Sequence, residues 1–390
     1  MQSKTRNSQL IPLAIPNLSG NEAEYLAQCV STNFVSTVGP FVTAFEDLVA
    51  ELEGFPNCVA TNTGTSALHV ALKSLGVQEG DLVVMPSYTF IATANAVRMS
   101  GAEPWLFDID PESWGLDPKL LVAELYRKTE SRDGSLWHKE LGRRVAAVVA
   151  VCAVGQPPQL KEITEAASAI GIPLLIDAAG AAGATYADQS LGCVVDNAVL
   201  SFNGNKTFTA GGGGAFLTQN DAAANFARHL STTARIGEDY SHDMEGFNYR
   251  LTNIQAAVGC AQLEQADNFL VRKRAIDAEY RAAWEGTVLE SFPRTDWADS
   301  ACWMTGAVLP KNFPLTAGGM AKELSTRGVQ ARGFWKPMHL QKPYATCPRT
   351  NTMVTDALWT RVLILPSSTS LARREQMQVI TAVLELLNSW

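Results

Sequence analysis

Apolar and polar positions follow two periods along this chain, and the boundary between them organises the fold. Asn21 precedes EAEYLAQCV, and Gly39-Pro40 opens FVTAFEDLVAEL, both at helical spacing, so residues 1–50 are expected to form an N-terminal arm and helices. From there short apolar runs alternate with amphipathic stretches. CVATN is β-branched and strand-like, and TGTSALHVALKSL follows at helical period. DLVVMPS and EPWLFDID read as strands on either side of a helical IATANAVRMSG. VAAVVAV, EITEAASAIG and IPLLIDAAG continue the series. An unbroken run such as VAAVVAV has no polar face and suits a central strand buried on both sides. The pattern predicts an α/β fold, a mostly parallel sheet covered by helices.

The pattern changes after about residue 260. Residues 261–285 read as one long helix, and ACWMTGAVLP reads as a strand among helices that run to Trp390. The expected division is therefore 1–260, an N-terminal arm and a large α/β domain, and 261–390, a connecting helix and a smaller α+β domain. Between a helix and the VAAVVAV strand, Arg127 to Arg144 (RKTESRDGSLWHKELGRR) is polar and charged and reads as a surface excursion.

Composition narrows the function classes. The 390 residues are 46% hydrophobic and 18% charged, which is ordinary for a globular protein and too apolar for disorder. A net charge of −8, with no run of basic residues, argues against a nucleic-acid partner. The longest apolar run, Val145 to Val154, is far shorter than the ~20 residues a membrane helix needs. The N-terminus MQSKTRNSQLIPLAIPN has no long apolar segment or cleavage site of a signal peptide, so a cytoplasmic protein is expected. Seven scattered cysteines without CxxC fit free thiols in a reducing compartment, and five isolated histidines without HExxH give no metal site.

In an open α/β sheet, ligands bind beyond the carboxyl ends of the strands, so the loops after strands carry the candidate chemistry. Thr61-Asn62-Thr63-Gly64-Thr65-Ser66 places small residues at a helix start, where free N–H groups form either an anion cradle or an ordinary capping turn. Asp177 ends the apolar run IPLLID, and a carboxylate there needs a partner: a metal, a helix start or a protonated ring nitrogen. Lys206 lies in SFNGNKTFTAGGGG, a weakly charged stretch in which desolvation would free its amine for Schiff-base chemistry; a surface lysine beside a glycine hinge is the plainer reading. Gly204-Asn205-Lys206-Thr207 lacks the GxxxxGK[ST] spacing of a phosphate loop, and no GxGxxG follows a strand. In GFNYRLTN, Asn253 is expected to cap the following helix, and Asn248, flanked by aromatic residues, serves either a ligand or a turn. An anion cradle, a strand-end acid and a lysine 29 residues further on form, in that order, the set that pyridoxal phosphate requires.

These segments resemble the DegT/DnrJ/StrS-type sugar aminotransferases, fold type I enzymes dependent on pyridoxal phosphate. The resemblance runs over nearly the whole chain: STVGPFVTAFEDLVAEL, TNTGTSALHVALKSLGV, MPSYTFIATANAVRMSGAEPWLFDIDPESWGLDP, SFNGNKTFTAGGGGAFLT, GFNYRLTNIQAAVGCAQLEQ, FWKPMHLQKPY and RVLILPSS. It implies that Lys206 is the Schiff-base lysine and proton carrier, and that Asp177 keeps the pyridine nitrogen protonated. Gly64, Thr65 and Ser201 would hold the phosphate, and Phe90 would stack on the ring. Asn248 would reach a neighbouring subunit's phosphate, making a homodimer with shared active sites. The Phe-Asn-Gly-Asn-Lys form is similar to members that aminate nucleotide-linked 4-keto-6-deoxyhexoses, with an amino acid such as L-glutamate as donor, often in surface-polysaccharide synthesis. Two positions depart from the family pattern. Gly180 stands where Gln, Glu or His follows Asp-Ala-Ala, and Val151-Cys152-Ala153-Val154-Gly155 lacks the usual His and Tyr. These departures leave open a cofactor-binding regulatory or low-activity homologue, and the motif does not separate amination at C3 from C4.

Overall fold

The structure is a computed structural model and describes residues 10–389. The strand-like runs of the large sheet are β1 (Asn57–Thr61), β2 (Leu82–Pro86), β3 (Glu103–Phe107), β4 (Thr129–Arg132), β5 (Ser135–His138), β6 (Arg143–Val151), β7 (Leu174–Asp177), β8 (Asn197–Ser201) and β9 (Gly214–Thr218). Seven of them lie in the order β1-β9-β8-β7-β6-β2-β3. β8, β7, β6, β2 and β3 are parallel neighbours, and of these seven β9 alone runs against both of its neighbours. As its composition demands, β6 is buried continuously from Val145 to Val151.

Helices α1 (Glu22–Ser31), α2 (Pro40–Glu53), α3 (Gly64–Ser74), α4 (Ile91–Met99), α5 (Pro118–Lys128), α6 (Leu160–Ala169), α7 (Asp221–Ser231) and α8 (Asn253–Leu263) cover this sheet. Two apolar layers result. One packs Phe45, Trp105, Ile163, Ile176 and Phe202, and the other Leu72, Val83, Leu106, Val149 and Phe216. Among the described residues no helix is long and apolar enough to cross a membrane.

One local expectation is sharpened and two are corrected. The polar stretch 127–144 is a surface excursion as expected, but an ordered one, a β4–β5 hairpin whose second strand pairs with the start of β6. It is anchored where His138 meets the Trp105 ring edge-on at 4.7 Å. The helix expected at 261–285 is two helices, because α8 stops at Leu263 and α9 (Ala266–Trp284) starts in a new direction after Glu264 and Gln265. The break lets α8 lie on α1 and α2 while α9 packs on the C-terminal sheet. Asn253 is not the cap of α8. Thr252 is, in a reciprocal pair with Gln255, while Asn253 is buried in the first turn. Its Oδ1 accepts from Phe41 N at 2.9 Å and its Nδ2 donates to Phe34 O at 2.8 Å, which ties the start of α2 to the end of the α1 loop.

The C-terminal part builds a small antiparallel sheet, β10 (Thr305–Val308), β11 (Arg332–Gly333) and β12 (Val362–Leu365), with β12 in the middle. α9, α10 (Ala317–Thr326) and, after the short α11 (Met353–Leu358), α12 (Arg373–Asn388) close a core around Tyr280, Leu324, Leu363 and Val383. Ile11 of the N-terminal arm joins this core and hydrogen-bonds with Gly328 and Gln330. The arm therefore crosses from the small sheet to the large one.

Candidate active site

The central parallel strands finish level with one another. Val151 of β6 sits beside Asp177 of β7, which sits beside Val199 of β8. Beyond their carboxyl ends opens a cavity of about 540 Å³. Its floor is the loops after the strands of the large sheet, and its roof is Trp303, Met304, Arg332, Phe334 and Trp335, on or beside the strands of the small sheet. A second cavity, of about 590 Å³, lies between Trp114 and Arg281, but its three arginines are already engaged. There Arg294 grips Asp277 at 2.6 Å, Arg361 grips Glu290 at 2.6 Å, and Arg281 donates to the Phe292 carbonyl. The first cavity keeps its reactive groups free.

Asp177 is 5% exposed. Its Oδ2 accepts from the Thr93 hydroxyl at 2.7 Å, and its Oδ1 accepts from Ala179 N at 3.2 Å. Burial raises its pKa above the ordinary carboxylate value, and Thr93, Ala179 N and Lys206 pull the other way. A cation placed against this carboxylate is therefore strongly favoured. Thr93 is itself set by Thr89, 2.8 Å away.

Lys206 borders the same cavity, and its Nζ has no hydrogen-bond partner among the described residues. Desolvation lowers its pKa to about 7, against the pull of Asp177. A substantial fraction of the amine is thus unprotonated near neutral pH, the form that attacks a carbonyl.

The cradle is built where α3 begins. Thr63 caps the helix by accepting from Ser66 N at 3.0 Å, leaving the Gly64 and Thr65 amides at the cavity edge. A Cβ at Gly64 would stand 2.9 Å from the Ser201 Cβ, so only glycine lets that serine approach the helix start. Phe90, 56% exposed, turns its ring into the cavity from the start of α4. Lys206, Asp177, Gly64, Thr65, Ser201 and Phe90 therefore surround one space. Asn248 does not join them. It is exposed on a segment that bridges to Thr232, and only its backbone carbonyl approaches the cradle loop, 3.4 Å from Asn62 Nδ2.

Other residues of the site escaped the sequence reading. Thr93 sits in a helix-forming stretch, where nothing in the spacing marks it as a partner of Asp177. Trp303 was legible only as part of a strand, yet its ring centroid is 3.5 Å from Lys206 Nζ. Around the VCAVG departure, Val154 and Gly155 both hold positive φ, at 52° and 90°, and the Cys152 thiol is buried, which pushes its pKa well above the ordinary value.

The residues present fit pyridoxal phosphate. A helix start with an adjacent hydroxyl suits the phosphate, a buried carboxylate short of a cation suits a pyridinium, and an unpartnered amine suits the aldehyde.

Comparison with known proteins agrees. The sequence model of the DegT/DnrJ/EryC1/StrS aminotransferase family matches residues 16–384. EpsN of Bacillus subtilis, provisionally named a pyridoxal phosphate-dependent aminotransferase, is 34% identical, with 97% of this chain and 96% of that protein aligned. The GDP-perosamine synthase of Caulobacter vibrioides is also 34% identical, covering 97% and 98% of the two chains. Among solved structures, the aminotransferase TlmJ of Streptoalloteichus hindustanus superposes with a TM-score of 0.87 at 25% identity, over 97% of this chain and 99% of its own.

Proposed function

The chain belongs to the DegT/DnrJ/EryC1/StrS aminotransferase family, and on that premise we propose that it moves an amino group from L-glutamate to a nucleotide-linked keto-sugar, a 4-keto-6-deoxyhexose, using pyridoxal phosphate. The observation that carries this reading is the convergence of Lys206, Asp177 and the Gly64–Thr65–Ser201 cradle on one cavity. Relatives named GDP-perosamine synthase support an amino-sugar product attached to a nucleotide.

Pyridoxal phosphate supplies an aldehyde that captures amines and a ring that draws electrons from the carbon being deprotonated. The protein's groups do the rest. The α3 amides and Ser201 anchor the anionic end. The Asp177 carboxylate, oriented by Thr93 and Ala179 N, holds a proton on the ring nitrogen through its charge. Lys206, largely a free amine near neutral pH, would hold the aldehyde and carry a proton between two carbons. Phe90, at the cavity edge, would pack against the ring.

The assembly inferred is a homodimer. Leu26, Val30, Phe34, Val35 and Val38 leave an apolar strip exposed along α1 and the loop after it, and Asn248 stands outside its own chain's cavity, free to serve another's. Seven unpaired cysteines support a reducing, cytoplasmic setting.

The test is a pair of half-reactions on purified protein. Glutamate is expected to convert the bound cofactor to its amine form, and a panel of 3-keto and 4-keto sugar nucleotides is expected to reverse the change with one 4-keto member. A cofactor that binds but never changes with any donor would favour a regulatory protein, and turnover of only a 3-keto member would move the reaction to C3.

A further inference from the structure

We propose that Trp303 is the positioning residue of Lys206: its indole occupies the room that Gly180 leaves empty and presents the lysine amine to the cavity. The inference rests on the role given to Lys206 above. The indole grips the lysine loop in two ways. Its Nε1 donates to the carbonyl of Asn205 at 2.7 Å, and its face lies 3.5 Å from the Lys206 Nζ. A ring face carries negative potential, so it attracts the ammonium form and orients the amine even though no hydrogen bond holds it.

Room for the indole comes from one missing side chain. A Cβ at Gly180 would stand 2.4 Å from Trp303 Cε3 and 2.9 Å from Cδ2. The backbone of Trp303 is fixed from behind. Its carbonyl accepts from the buried Lys273 Nζ at 2.7 Å, and the same Nζ donates to the Ser367 carbonyl at 2.6 Å. Cys302, the residue before it, holds φ +50°, with its N bonded to the Ser300 hydroxyl, which donates in turn to the Gly155 carbonyl. Gly155 must also lack a side chain, because a Cβ there would lie 2.9 Å from Trp303 N and from the Gly180 carbonyl. Gly180, one of the two departures, and Gly155, which ends the other, thus make a single feature, a seat for this tryptophan.

Other charges face Lys206 as well. Asp177 favours its cation, Arg332 lines the roof of the same cavity, and Cys152 borders it as a neutral thiol, with the buried carboxyl of Glu53 close enough to Cys152 to raise its pKa. The test must therefore change the ring face and leave those groups alone. Full-length protein and its Trp303→Phe and Trp303→Leu variants, freed of cofactor, are incubated with pyridoxal phosphate between pH 5 and 10. They are then reduced with borohydride, and the Lys206 peptide is weighed. Trp303→Phe keeps a ring face, and its capture midpoint is expected to stay with the parent, near the pKa of about 7. Trp303→Leu keeps the site dry without the face, and its midpoint is expected to fall by about one pH unit. Equal midpoints in all three proteins, or equal shifts in both variants, overturn the inference alone. Absence of capture in the parent overturns the proposed function and this inference with it.

Stability gives a second arm that does not involve the cofactor. Gly180→Ala is expected to lower the Tm by about 1–4 °C in the parent and to cost nothing in a Trp303→Ala background. Equal costs in both backgrounds would show that the two positions do not share space.

Discussion

Two desolvated lysines in this molecule show how the same side chain becomes either a fastener or a reagent. Lys273, on α9 between the two sheets, is 5% exposed and donates to the Trp303 and Ser367 carbonyls and to the Ser367 hydroxyl. Lys206 has an indole face and an opening onto a cavity, with no hydrogen-bond acceptor for its Nζ among the described residues. Burial lowers both, Lys273 to about 8 and Lys206 to about 7. Displacement of the proton affinity therefore does not distinguish them. What differs is whether the nitrogen's donors are satisfied, because a fully bonded ammonium has no lone pair to give.

Substituting each lysine by methionine, which keeps most of the bulk, breaks the comparison most sharply. Lys206→Met is expected to lower turnover at least about 10³-fold, since no other group reaches the reacting atoms with a free amine. Steady-state rates with glutamate and the keto-sugar measure this. Asp177→Asn, isosteric but uncharged, is expected to cost about 10²–10³-fold in the same assay while leaving the Thr93 contact possible. Lys273→Met leaves two buried carbonyls without their donor and is expected to destabilise the fold by about 2–4 kcal/mol, read in denaturant unfolding. Its rate is expected to fall less than that of Lys206→Met.

The smallest effect is the most discriminating, because it has the opposite sign. The pKa of Lys206 falls from 10.5 unfolded to about 7 folded, so between those values the unfolded chain binds more protons and stability climbs with pH. The penalty of burying its charge is complete below about pH 7 and absent above the unfolded value. Lys206→Met is therefore expected to raise the Tm by about 1–3 °C at pH 7 and by less at pH 10. Thermal unfolding at the two pH values checks it. A fall in Tm at pH 7 would place Lys206 among the fasteners.

How much of this was legible in the sequence follows from the range of each interaction. The alternation of CVATN, TGTSALHVALKSL and DLVVMPS is local, and each run forms the strand or helix its period predicts. Asp177 and Lys206 were legible because each follows an apolar strand, where a charge needs a reason. The resemblance added Ser201 and Phe90, which spacing alone did not mark. Glu264 and Gln265 are good helix formers, so no local signal announces the break between α8 and α9; packing of α8 on α1 and α2 and of α9 on the small sheet imposes it. Asn253 and Thr252 are both capping residues side by side, and the choice between them is made by Phe34 and Phe41, more than 200 residues earlier. Trp303 touches Lys206 across 97 residues of chain, and Gly180 revealed a missing side chain without revealing what replaced it.

The most direct measurement of the central claim is reductive trapping on the whole protein followed by peptide mass mapping, with Lys273 as the internal control. After borohydride treatment with pyridoxal phosphate, the expected result is one pyridoxyl group on the peptide containing Lys206, none on that containing Lys273, and none anywhere in Lys206→Met. A label on Lys273 instead, or an equal label persisting in Lys206→Met, would contradict the assignment of the two lysines.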